Sequence, residues 1–283
     1  GRRVPAAQRS PMGRSPGART QASRAFRRGM VPGALRRRAG LLGCVLLLFG
    51  ARAISFAQSG DAGPPAVVKS SATERTVFLL HGILRTDRSM RRLEKTLKSR
   101  GFQVVSLRYP SRSRTIEEHA DWLAGEVKEK GRGDLYFVGH SLGAIVIRRY
   151  LAVHHPANAK RFVMVAPPNH GSFMAEKAAQ LGVYRWIYGS KAGMELRSSN
   201  ENFWRSLPPP PIEFGILAGG LGDDKGFNPS LPGDDDGTVT VEEARLEGAK
   251  DTRIVPYQHS LILLRKKTAV LTADFLETGN FGR

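Results

Sequence analysis

Leu135-Tyr-Phe-Val-Gly-His-Ser-Leu-Gly-Ala144 decides how the rest of this chain is read. Residues 135–138 form a short apolar run, the pattern of a strand covered on both faces, and residues 142–153 carry a helical pattern. Between them lies Gly139-His-Ser-Leu-Gly143, a G-x-S-x-G motif. Five-residue matches of this kind arise by chance, and the strand before and helix after this one make it informative. A serine on a tight strand-to-helix turn stands above the carboxyl edge of a sheet, where open α/β folds bind ligands. Glycines at 139 and 143 remove side chains that would collide as the helix packs close to the strand. The same turn sets the backbone N–H of Leu142 at the helix start, aimed at an oxyanion developing beside Ser141.

Outward from that motif, strands and helices alternate. Strands are expected at Thr76–Leu80, Gln103–Leu107, Leu135–Val138, Arg161–Val165, Ile212–Leu217 and Arg253–Tyr257. Helices are expected over about 87–100, with Met90, Leu93 and Leu97 on one face, and after the Thr115/Glu118 capping box. This rhythm predicts an α/β fold, a mostly parallel sheet of about six strands with helices on both faces. Residues 169–211 interrupt it. They carry Tyr184, Trp186, Tyr188, Phe203 and Trp204 and end in Pro208-Pro-Pro-Pro211, a candidate cap over a site or a set of helices covering the sheet edge.

A serine hydroxyl is a weak nucleophile at neutral pH and needs a base within hydrogen-bond reach. His259, in Tyr257-Gln-His-Ser260, follows the last strand and is the candidate base. His81 and His140 belong to neighbouring motifs, His119, His154 and His155 fall on or beside helices, and His170 is read as a site-wall or structural residue. Gly233-Asp-Asp-Asp-Gly237 offers three acids before His259. Asp236 is chosen over Asp234 and Asp235 because Gly237 permits a turn that points a carboxylate back at the histidine. Its role would be to fix the imidazole tautomer and stabilise the imidazolium. An EF-hand reading of the same acids fails, because Gly237 at loop position six puts Pro232 at position one. His81-Gly-Ile-Leu84 follows the first strand, and the second oxyanion-hole N–H is assigned to Ile83.

Leu80-His-Gly-Ile83, Gly139-His-Ser-Leu-Gly-Ala144, Asp236-Gly-Thr-Val239 and His259-Ser260 together resemble the small bacterial lipase/esterase group of α/β-hydrolases, including triacylglycerol-lipase-like proteins. Ala166-Pro-Pro-Asn-His-Gly-Ser172 is similar to the Pro-x-x-Gly-Ser segment of that group. The resemblance spans residues 74–278. It implies the α/β-hydrolase fold in a minimal six-stranded form, and hydrolysis of small-molecule or lipid carboxylic esters through an acyl-enzyme. It implies no cofactor and no metal. Acyltransferase or amidase chemistry on the same triad, and a catalytically silent binding protein, are the alternatives.

The N-terminal quarter reads differently. The formal net charge is +19, and twelve arginines with no lysine or acid fall in residues 1–60. They sit among Pro, Gly, Ser and Ala rather than aromatics, which argues against a nucleic-acid partner. Residues 1–57 are expected to be a basic leader, 58–73 a linker, and 74–283 the hydrolase domain. Leu41–Gly50 is an apolar run of about ten residues, half of what crosses a bilayer and the length of a signal-peptide core. Export is therefore expected, periplasmic or secreted, with a retained membrane anchor or organelle targeting as alternatives and membrane-surface contact through this segment. Met30 is the expected start, which N-terminal sequencing of the mature protein would test. Cys44, the single cysteine, leaves no disulfide framework.

Overall fold

A computed structural model of the protein describes residues 73–180, 189 and 191–282. The expected leader, nearly all of the linker, and Tyr184, Trp186 and Tyr188 lie outside the described residues. Six parallel strands form one sheet: β1 (Arg75–Leu80), β2 (Gln103–Leu107), β3 (Asp134–His140), β4 (Ala159–Val165), β5 (Glu213–Gly219) and β6 (Asp251–Val255). Their order is β2-β1-β3-β4-β5-β6. Continuous apolar runs produce it because both faces are covered. Phe78, Leu80, Phe137 and Phe162 face one core, and Val77, Leu79, Val138 and Val163 face the other.

Helices α2 (Ile116–Lys130) and α3 (Leu142–His154) cover the first face. Helices α1 (Arg91–Ser99) and α8 (Lys266–Thr278) cover the second with Leu93, Leu97, Leu271 and Phe275. The capping box ahead of α2 forms as its sequence requires: Glu118 N–H donates to Thr115 Oγ1 at 3.1 Å, and Thr115 N–H to Glu118 Oε2 at 2.7 Å. The last strand differs from its expected span. β6 begins at Asp251 and ends at Val255, because Pro256 has no N–H to continue the ladder.

Residues 169–211 fold into three short helices among the described residues: α4 (Phe173–Ala179), α5 (Ala192–Glu195) and α6 (Glu201–Ser206). Trp204 is buried, and its indole N–H donates to Arg197 O at 2.9 Å. α7 (Val241–Ala244) precedes β6.

His119, on α2, is fully buried, and neither ring nitrogen has a hydrogen-bond partner among the described residues. Burial pushes its pKa down to about 4, helped by the charge of Arg114. The unfolded chain therefore takes up a proton near pH 6.5 that the folded chain refuses until about pH 4. Stability is expected to fall as pH drops through this window, by on the order of 3 kcal/mol from His119 alone. Urea unfolding at pH 7 and pH 4.5 measures the loss, and His119→Phe should reduce it; an unchanged loss in that variant contradicts the assignment.

Candidate active site

The direction of the sheet order reverses between β1 and β3, whose ends are in register at Leu80 and Gly139. Loops leaving two strands in opposite directions open a crevice at their carboxyl ends. Ser141 stands there with φ 52° and ψ −123°, a conformation that costs roughly 1–3 kcal/mol for a residue with a Cβ. The surrounding turn holds it: Ser141 N–H donates to Val165 O at 2.9 Å, and Ala144 N–H to Ser141 O at 2.9 Å. A Cβ on Gly139 would lie 2.5 Å from Ala144 N, and one on Gly143 2.4 Å from Leu80 O. The two glycines are thus what allows α3 to start so close to the sheet. The Ser141 hydroxyl does not cap α3, which leaves it available to a ligand.

Opposite the serine, the loop after β5 delivers the acid. Asp236 is buried, and its Oδ1 accepts from Thr238 N–H at 3.0 Å and Val239 N–H at 2.8 Å. Its Oδ2 accepts from His259 Nδ1 at 2.7 Å. The loop turns back through Gly237 at φ 93°. The neighbouring acids point elsewhere: Asp234 accepts from Leu221 and Gly222 N–H, and Asp235 from Gly237 and Asn228 N–H. His259 is further fixed by its own N–H donating to Asp236 O at 2.8 Å. With Nδ1–H committed to the carboxylate, Nε2 is the basic atom left to the cavity.

Ser141 and His259 line one cavity of about 240 Å³, with Ile83 and Ser260 at its wall. Leu142 opens α3, where a backbone N–H has no partner within the helix. Ile83 lies in a turn closed by Arg85 N–H to Gly82 O at 3.2 Å, with Leu84 at φ 60°. A Cβ on Gly82 would lie 3.1 Å from Ser141 Cβ, so this turn closely approaches the serine. The Leu142 side chain is buried in the core, so only its backbone is available to a ligand, and Leu84 is exposed at the rim. The apolar wall comes instead from Met174, Ala175, Ala178, Leu196 and Val239.

Three supporting residues went unassigned in the sequence. His140 lies beneath His259 with ring centroids 4.8 Å apart, and its Nε2–H donates to His259 O at 3.1 Å. Burial, then the neighbouring His259, hold its pKa well below the ordinary value, so it is a neutral prop for the histidine loop. His81 ties the β1 loop to β2: its Nδ1–H donates to Gly82 O at 2.8 Å, and Tyr109 O–H donates to His81 O at 2.7 Å. His170, read as a site-wall or structural residue, is exposed and does not line the cavity; Gly171, at φ 88°, turns the chain away after it.

Arg148, on α3, is buried without a carboxylate partner among the described residues. Its guanidinium donates to Asn169 O at 3.0 Å, Pro208 O at 3.0 Å and Leu207 O, joining α3 to both ends of the 169–211 segment. Burial lowers its pKa to about 10, still charged at neutral pH. Arg148→Met should destabilise the protein by about 2–4 kcal/mol, because three carbonyls, the buried ones of Asn169 and Leu207 among them, lose their donor. A urea midpoint equal to wild type would contradict this account.

A profile of the alpha/beta hydrolase family matches residues 77–273. The chain belongs to the alpha/beta hydrolase family. Solved structures share the fold of this chain at low identity. A mature lipase from Bacillus licheniformis, BlEst2, is 22% identical over 77% of this chain and 96% of its own, with a TM-score of 0.57. Phospholipase PlaB from Legionella pneumophila is 16% identical over 73% of this chain and 57% of its own, with a TM-score of 0.56. The metagenomic carboxyl esterase MGS0156 is 16% identical over 72% of this chain and 70% of its own, with a TM-score of 0.54. No curated protein sequence matches this chain.

Proposed function

We propose that this hydrolase cleaves carboxylic esters through an acyl-enzyme on Ser141, with His259 as general base and Asp236 as the triad acid. The observation that carries the reading is the 2.7 Å bond from His259 Nδ1 to Asp236 Oδ2, behind a histidine that shares one cavity with Ser141. His259 Nε2 takes the Ser141 proton as Oγ attacks the carbonyl carbon. The backbone N–H groups of Ile83 and Leu142 receive the oxyanion. His259 then returns the proton to the leaving alkoxide, and the alcohol departs. A water deprotonated by His259 attacks the acyl carbon, and the carboxylic acid leaves as Ser141 regains its proton.

The apolar wall supplied by Met174, Ala175, Ala178 and Leu196 supports an acyl-binding role for the 169–211 segment as a cap. A volume of about 240 Å³, below the roughly 300–1,000 Å³ of drug-sized ligand sites, favours a short acyl chain. Hydrolysis of p-nitrophenyl acetate, butyrate and palmitate by the full chain tests both points. The short esters should be turned over faster than the palmitate. Well-folded protein inactive on all three would return the fold to the silent binding-module reading.

A further inference from the structure

A second cleft, of about 620 Å³, adjoins the catalytic cavity through Leu84 and Arg85, which line both. Arg85, Arg108 and Arg112 line it together with Thr86, Ser111 and Ser113, and no acidic side chain does so among the described residues. The local sequence explains the charge: Arg108-Tyr-Pro-Ser-Arg-Ser-Arg114 holds three arginines and no acid. Arg108 is exposed and has no carboxylate partner among the described residues. Arg85 donates to Ser260 Oγ, beside His259, and keeps its remaining N–H groups. At His81 the charge of Asp87 opposes that of Arg108. The cleft's charge is felt at the catalytic residues' neighbours: after burial, Arg108 adds to the lowering of the His81 pKa, and Arg85 to that of His140.

We infer that this cleft binds a phosphate carried on the alcohol side of the ester, making acyl esters of phosphorylated alcohols the preferred substrates. The inference rests on the hydrolase reading above and names its substrate class. Direction follows from the walls. Among the described residues the apolar wall comes from Met174, Ala175, Ala178, Leu196 and Val239, which do not line the arginine cleft, so a substrate spanning both cavities places its alcohol beyond Leu84. Guanidinium groups recognise phosphate oxygens through paired, charge-assisted hydrogen bonds, and the hydroxyls of Thr86 and Ser111 line the same space. The reaction is unchanged: the acyl–oxygen bond breaks, and the alcohol leaves with its phosphate intact.

The test compares hexanoyl glycerol with hexanoyl glycerol phosphate, both dissolved as monomers, on the full chain. Wild type should show a kcat/KM ratio favouring the phosphate ester by at least about tenfold at low salt, shrinking as ionic strength rises. Arg108→Ala should lower that ratio about tenfold through KM, the effect of one lost charge-assisted contact, and Arg108→Lys should recover most of it. A parallel arm uses vesicles of ether-linked phosphatidylcholine, which has no carboxylic ester to cleave, carrying either phosphatidylglycerol or diacylglycerol as substrate. Preference on dissolved esters identifies a free phosphate ester, and preference confined to anionic vesicles identifies a lipid headgroup. Equal rates in both arms, or a ratio that Arg108→Ala leaves intact, overturn the inference. Calorimetric binding of hexanoyl glycerol phosphate to the Ser141→Ala protein separates it from the parent reading. Binding weakened by Arg108→Ala, without turnover by wild type, keeps the cleft and removes the hydrolase.

Discussion

Ser141→Ala should lower kcat for p-nitrophenyl butyrate by about 10⁴–10⁶-fold, the loss expected when the nucleophile of a triad is removed. The residual rate would come from the oxyanion donors and substrate binding alone. The folded state should survive the change. The Ser141 hydroxyl does not cap α3, and the turn is held by backbone bonds to Val165 and Ala144 that alanine preserves. A melting temperature within about 2 °C of wild type is therefore expected, corresponding to under about 1 kcal/mol for a domain of this size. Retained turnover in the variant would move the chemistry to another residue.

Asp236→Asn is the second large effect, a fall in kcat of about 10⁴-fold with little change in KM. The hydrogen bonds dictate how the amide must sit. Thr238 and Val239 N–H both point at Oδ1, so that position needs an acceptor oxygen. The amide nitrogen is left facing His259 Nδ1, and as a donor it selects the tautomer with its proton on Nε2. That tautomer has no lone pair for the Ser141 proton. Asp235→Asn provides the contrast, because Asp235 accepts only from backbone groups of its own loop and should affect stability far more than chemistry. Burst and steady-state kinetics on butyrate separate the two variants, and equal kinetic losses would contradict the assignment.

Much of this site was legible because local sequence constrains it. A G-x-S-x-G between an apolar strand and a helix leaves little choice of backbone, and Gly139 and Gly143 have the close contacts that the motif implies. The choice among three consecutive aspartates rested on Gly237, and its positive φ is where the loop turns back. Tertiary partners were not legible. Arg148 looks like an ordinary helix arginine, and only the fold brings Asn169, Leu207 and Pro208 to its guanidinium. His140 reads as the variable residue of its motif, although it supports the His259 carbonyl from 119 residues away. The apolar wall was not legible for a related reason, because Met174 and Leu196 reach the cavity from a distant segment. Periodicity also misplaced β6 by two residues, since the strand's end is set by Pro256 and by pairing with Gly219.

The central claim is that Ser141 is a nucleophile activated by the His259–Asp236 pair. Labelling the full chain with a fluorophosphonate and mapping the adduct by mass spectrometry measures this without choosing a substrate. One adduct per chain on Ser141, formed much more slowly in His259→Ala, is the predicted result. A folded protein that takes no label, or takes it on another residue at a rate indifferent to His259, would contradict the account.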